Sequence, residues 1–120
     1  MHGLRTTIYH VDDLALAKAW YAKAFELEPY FDEPFYVGFN IKGYELGLLP
    51  QDENARTKSI SVVAYWGVED IEMEYERFRS LGAFANEAPH NVGGEIMVAT
   101  VLDPWQNAIG LIYNPYFELG

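Results

Sequence analysis

The stretch from Val11-Asp12-Asp13-Leu14 to Tyr21 returns as Val68-Glu69-Asp70-Ile71 to Phe78, so that Val11, Asp13 and Tyr21 recur at a constant step of 57 residues. Each copy follows an apolar, strand-like run and precedes more of them. An internal repeat of this kind constrains the fold more than any local motif, because a half-size unit cannot bury its apolar face alone. The pattern reads as a β-α-β-β-β unit written twice, an α+β chain in which two such units share one cleft. Module 1 is expected at about 4–50, a linker at about 51–58 and module 2 at about 59–115, all within a single domain of 1–120.

Local signals fill in the plan. Thr6 to Val11 carries β-branched and aromatic residues without Gly or Pro, the mark of a buried strand. Asp12 or Asp13 then caps a helix whose apolar face is Leu14, Ala17, Tyr21, Ala24 and Phe25. Pro29 prevents that helix from continuing. Phe35–Ile41 and Tyr44–Leu49 read as strands joined at Lys42-Gly43, a two-residue turn with glycine second. Pro50 to Lys58 is polar and aperiodic, the linker. In the second half Ile60–Tyr65 reads as a strand and Asp70 as a cap. Ile71, Tyr75, Phe78 and Leu81 form the helical face, and Gly82 suits a left-handed C-terminal position. Ala88–Gly94 reads as a turn-rich loop, Glu95–Leu102 as a strand, Asp103–Asn107 as a tight turn and Ala108–Tyr113 as the last strand.

Composition bounds function. Half of the 120 residues are apolar, enough for a globular core. No run approaches the roughly 20 apolar residues that span a bilayer, and Met1–Arg5 lacks the apolar run of a signal peptide. With 18 carboxylates against 8 Lys and Arg, the formal charge of −10 opposes nucleic-acid binding. The absence of cysteine removes disulfides, thiolate metal ligands and a thiol nucleophile, and a cytoplasmic location is expected.

The set formed by Val11-x-Asp13-Leu14-x-x-Ala17-x-x-Trp20-Tyr21, Val68-x-Asp70-Ile71, Phe78-Arg79-Ser80-Leu81-Gly82 and Asp103-Pro104 through Gly110-Leu111 to Asn114-Pro115 resembles the vicinal oxygen chelate superfamily. That superfamily holds glyoxalase I, extradiol dioxygenases, fosfomycin-resistance enzymes and bleomycin-resistance binding proteins. The resemblance covers nearly the whole chain. It implies two tandem βαβββ modules whose curved sheets enclose a cleft, commonly completed by a homodimer. Glu26 departs from the pattern, standing near where relatives carry the glycine that Gly82 supplies in the second module.

Family enzymes hold one divalent ion with His, Gln or Glu, one ligand near the start and one on the last strand of each module. The resemblance carries those positions onto Thr6, Gly47, Val63 and Gly110. Three of them offer no side-chain donor and Thr6 only a hydroxyl, so no metal and no other cofactor is expected. A displaced site could begin with His10 and Glu45, with His2 and His90 as distant further candidates.

Strand residues alternate faces, so Thr6, Ile8 and His10 share the cleft side, and Glu45 shares the parity of Gly47. The expected ligand-binding set is Thr6, His10, Tyr36, Phe39, Glu45, Tyr65 and Trp105. Tyr36 or Phe39 projects from the first sheet, Tyr65 from the first strand of module 2, and Trp105 from the Asp-Pro turn. Flat rings with one carboxylate suit a small organic ligand, cationic or aromatic. The reading is a metal-independent, small-molecule-binding, drug-sequestering protein. Its rivals are a lyase or dioxygenase with a displaced metal, a metal-free isomerase using His10 as acid-base, and a regulatory domain whose cavity is filled.

Overall fold

A computed structural model describes residues 1–51 and 62–117. The chain divides into two units, Met1–Thr57 and Lys58–Gly120. Most of the expected linker, and residues 60 and 61 of the expected strand, lie outside the described residues.

In the first unit β1 (Thr6–Val11) leads into α1 (Leu14–Phe25), followed by β2 (Phe31–Glu33), β3 (Tyr36–Ile41) and β4 (Tyr44–Pro50). The sheet order is β1-β4-β3-β2, with β1 parallel to β4 and the other pairs antiparallel. Helix α1 starts where Asp13 accepts a hydrogen bond from the Leu16 amide at 3.1 Å, satisfying one of the amides a helix leaves unpaired. It ends at Glu26, which takes the left-handed conformation at φ 58°. Glycine is the residue that reaches that region without a Cβ penalty. The helix lays Ala17, Tyr21 and Ala24 on the sheet, against Tyr9, Val11, Val37, Phe39, Leu46 and Leu48, all buried. Tyr21 stacks on Tyr9 with ring centroids 5.7 Å apart. Each such fully buried side chain contributes about 1.5–3 kcal/mol of transfer free energy. Lys42 (φ 53°) and Gly43 (φ 95°) both take positive φ, as a two-residue hairpin turn requires.

The second unit repeats the order: β5 (Ala64–Gly67), α2 (Ile71–Ser80), β6 (Phe84–Gly93), β7 (Ile96–Leu102) and β8 (Ala108–Tyr113). Its sheet order, β5-β8-β7-β6, mirrors the first. Asp70 caps α2 by accepting from the Met73 amide at 3.1 Å. Ile71, Tyr75 and Phe78 are buried with Ala99, Val101, Ile109 and Leu111. Gly82 has φ 105°, so the left-handed position sits where its sequence placed it. The β7–β8 turn is tied by Asp103, wholly buried, whose carboxylate accepts from the amides of Trp105 (2.9 Å) and Asn107 (2.7 Å) and from the Asn107 side chain (2.9 Å).

The α+β expectation, two helices and two four-stranded mixed sheets, is met. One strand is added and two local readings are corrected. Phe31–Glu33 forms a strand that carries no sequence signal, being three residues long and exposed throughout. Ala88–Gly93 of that stretch is not a loop but the greater part of β6, which pairs with β7 through three register shifts, and only Gly94 falls in a turn. Pro89, Asn91 and Gly93 speak for a turn, yet a sheet edge with bulges tolerates all three. The first strand of the second unit runs Ala64–Gly67, with Val62 and Val63 outside it. The 57-residue repeat, which maps β1 onto 63–68, locates it better than the β-branched run does.

Candidate functional site

The face of the first sheet turned away from α1 carries the chemistry. Register pairing aligns Asn40, Glu45 and Thr6 in one row, and Phe31, Gly38, Gly47 and Ile8 in the next. Paired residues point to the same side, so two adjacent glycines leave a hollow in the sheet between Phe31 and Ile8. Two tyrosine rings fill it. Tyr36 lies over Gly47, where an added Cβ would collide with its hydroxyl, and Tyr30 lies over Gly38, its Cε1 3.1 Å from such a Cβ.

Both phenols end on Glu45. The Tyr36 hydroxyl donates to Oε1 at 2.8 Å and the Tyr30 hydroxyl donates to Oε2. Thr6, paired with Glu45 across β1 and β4, favours the ionised carboxylate. Partial burial opposes ionisation of Glu45, but the hydroxyls of Tyr30, Thr6 and Tyr36 outweigh it and hold the carboxyl below its ordinary value. The tyrosines move the other way. The hydrogen bond to Glu45, then burial and the carboxylate charge, raise Tyr30. Burial and the same carboxylate raise Tyr36, against a lowering contribution from Thr6. A shallow recess of about 220 Å³ opens beside this cluster, lined by Arg5, Tyr30, Asn40, Gly43, Tyr44 and Glu45.

Thr6, Tyr36 and Glu45, expected from the sequence, thus meet in one cluster. Tyr30 joins them unannounced; it follows Pro29 in an irregular segment, with no periodicity to assign it a face. His10 shares the face, exposed, opposite Leu49. Phe39 does not: Tyr36, Gly38 and Asn40 take the helix-free side, and Phe39 is 1% exposed among the residues under α1. Tyr65 and Trp105 belong to the second unit. Tyr65 covers Gly110 there much as Tyr36 covers Gly47, with its Cδ1 2.5 Å from the position a Cβ would take. Trp105 is half-buried in the turn held by Asp103.

The repeat and the paired sheet orders are those of a known family. Residues 3–111 match the model of the Glyoxalase/Bleomycin resistance protein/Dioxygenase superfamily. The chain belongs to that superfamily. Its fold is similar to a glyoxalase-related enzyme from Fulvimarina pelagi (17% identity, TM-score 0.81, covering 100% of this chain and 94% of that one). It is also similar to a lactoylglutathione lyase from Agrobacterium tumefaciens (20% identity, TM-score 0.75, 99% and 98% covered). A third likeness is a family enzyme from Burkholderia phytofirmans (16% identity, TM-score 0.78, 90% and 95% covered). At these identities the likeness is one of fold. No curated protein matches the sequence.

The metal centre that the superfamily implies does not fit these residues. Two of the four positions that the resemblance assigns to it, Gly47 and Gly110, have no side chain, and the space above each holds a tyrosine ring. The Glu45 carboxylate, two residues before Gly47 on β4, has hydroxyls on both oxygens. Among the described residues no three His, Asp or Glu side chains converge. His10 and Glu45 stand apart as well. Glu45 pairs with Thr6, and His10 lies four residues further along β1, about 13 Å of strand, whereas ligands about 2 Å from one ion stand within about 4 Å of each other. Among the described residues no helix is long and apolar enough to cross a membrane.

Proposed function

We propose that this member of the superfamily binds a small organic molecule on the helix-free face of its first unit, without a resident metal ion. The observation that carries the reading is the Tyr36 ring lying over Gly47 with its hydroxyl on Glu45 at 2.8 Å. Where the resemblance calls for a metal ligand, this chain has an aromatic wall and a hydrogen-bonded carboxylate. That combination suits recognition of an organic ligand by ring contact and hydrogen bonds. Exposed Phe31 and Ile8 border the same hollow and add apolar area, and His10 extends its polar rim. Tyr65 and Trp105 are proposed as ligand-binding residues of the second unit by itself. A homodimer and a cytoplasmic role in sequestering a drug-like compound belong to the same reading; they rest on the superfamily resemblance and on a chain without cysteine.

Native mass spectrometry of protein purified without chelator tests the proposal. A metal-free species, with or without a co-purified small mass, is the expected result. A stoichiometric divalent ion that survives exchange into volatile buffer would overturn it and return the chain to the metal-dependent enzymes.

A further inference from the structure

Glu45 is satisfied in hydrogen bonds but not in charge. It takes the hydroxyl protons of Tyr30 and Tyr36, with Thr6 beside them, and among the described residues it forms no ion pair. Arg5, which lines the same recess, gives its guanidinium to the main-chain carbonyl of His2.

The direction of these hydrogen bonds carries further information. An ionised carboxylate only accepts, so each phenol that donates to Glu45 is left with oxygen lone pairs and no proton to offer. The groups that donate to the carboxylate therefore meet an approaching molecule as acceptors: two phenol oxygens and what remains of Glu45. The tyrosine rings lying over Gly38 and Gly47 add the negative faces of two π systems. At the carboxylate itself, charge, lone pairs and ring faces all favour one kind of partner.

We infer that the group recognised here is a protonated amine or amidine on a small apolar or aromatic body, read by its N–H donors as well as by its charge. The inference rests on the binding role proposed above and names its ligand class. A quaternary ammonium would satisfy the rings and the charge but leave the acceptors unmet. A neutral alcohol would meet one acceptor and leave the charge. A carboxylate or phosphate would meet repulsion from Glu45.

The test is a two-dimensional amide NMR titration of the full chain with benzylammonium, benzyltrimethylammonium, benzyl alcohol and benzoate. Benzylammonium is expected to shift the amides of Gly38, Gly47 and Glu45, and to bind about tenfold or more tighter than the other three. Glu45→Gln should remove most of that preference. Equal binding of the quaternary ion, or stronger binding of the alcohol or benzoate at the same amides, would overturn the donor inference while the binding role stood. No response at this face to any of the four would overturn both.

Discussion

Tyr36 occupies the space that a side chain at position 47 would need, and its hydroxyl is spent on Glu45 2.8 Å away. Glycine at 47 and tyrosine at 36 are therefore one decision. Neither residue type makes sense on this sheet face without the other.

Replacing Gly47 by alanine should force the Tyr36 ring off the sheet. The expected cost is that of overpacking, about 1–3 kcal/mol. Combining Gly47→Ala with Tyr36→Ala should cost less than the two single changes added together, because the clash vanishes with the ring. Urea denaturation of the four proteins in the cycle measures the coupling, and strict additivity would contradict the contact.

The folded-state pKa of Glu45 lies below its ordinary value, so below neutrality the unfolded chain takes up a proton before the folded one does. Its contribution to stability is complete above the ordinary value of 4.5 and is lost as pH falls through the lowered folded value. Glu45→Gln should flatten that part of the acid limb. A stability profile from pH 7 downwards, compared between the two proteins, decides the point.

Tyr30 and Tyr36 should both ionise above the usual phenol value of 10.0 in the folded chain. Their contribution is present below that value and lost as pH rises through the folded pKa values, since the unfolded chain releases those protons first. Glu45→Gln removes the neighbouring charge and should bring both titrations down. Tyrosine ring-carbon NMR resolves the two groups; titrations unmoved by the substitution would refute the cluster.

Glu26 holds a left-handed backbone at φ 58° at the end of α1, where Gly82 serves α2. Glu26→Gly should relieve the Cβ strain and stabilise the fold by up to about 1 kcal/mol. Thermal and chemical unfolding should both move upward; a loss of stability would mean that the Glu26 side chain contributes more than its backbone costs.

Asp103 ties the β7–β8 turn from a fully buried position, accepting from two amides and one side-chain amide. Asp103→Ala leaves those donors buried without partners and should cost about 2–4 kcal/mol. Calorimetric unfolding reads the loss, and a change under about 0.5 kcal/mol would show that water replaces the carboxylate.

Much of this architecture can be read along the chain. β1 and both helices follow from apolar periodicity, and Asp13 and Asp70 from the chemistry of unpaired helix amides. The Lys42-Gly43 turn follows from the positive φ that a tight hairpin demands. The repeat is the stronger guide where signals conflict, for it locates β5 at Ala64–Gly67 against the pull of the preceding β-branched run. What it cannot supply is an edge. β2 is too short and too exposed to have a period, and β6 is written in turn residues that only a bulged, one-sided strand accommodates.

The same division runs through the site. Alternation along β1 and β4 was enough to put Thr6, Glu45 and Gly47 on one face, and the absence of donor side chains at Gly47 and Gly110 was plain from their letters. Sequence alone determined that much, because strand period and residue chemistry are local properties. The choice between Tyr36 and Phe39, the arrival of Tyr30 from outside any periodic segment, and the meeting of both phenols on Glu45 were decided only by the tertiary structure. The physical reason is that a hydrogen bond between side chains 9 or 15 residues apart depends on sheet register and on the empty space above two glycines, and neither is a property of any one segment.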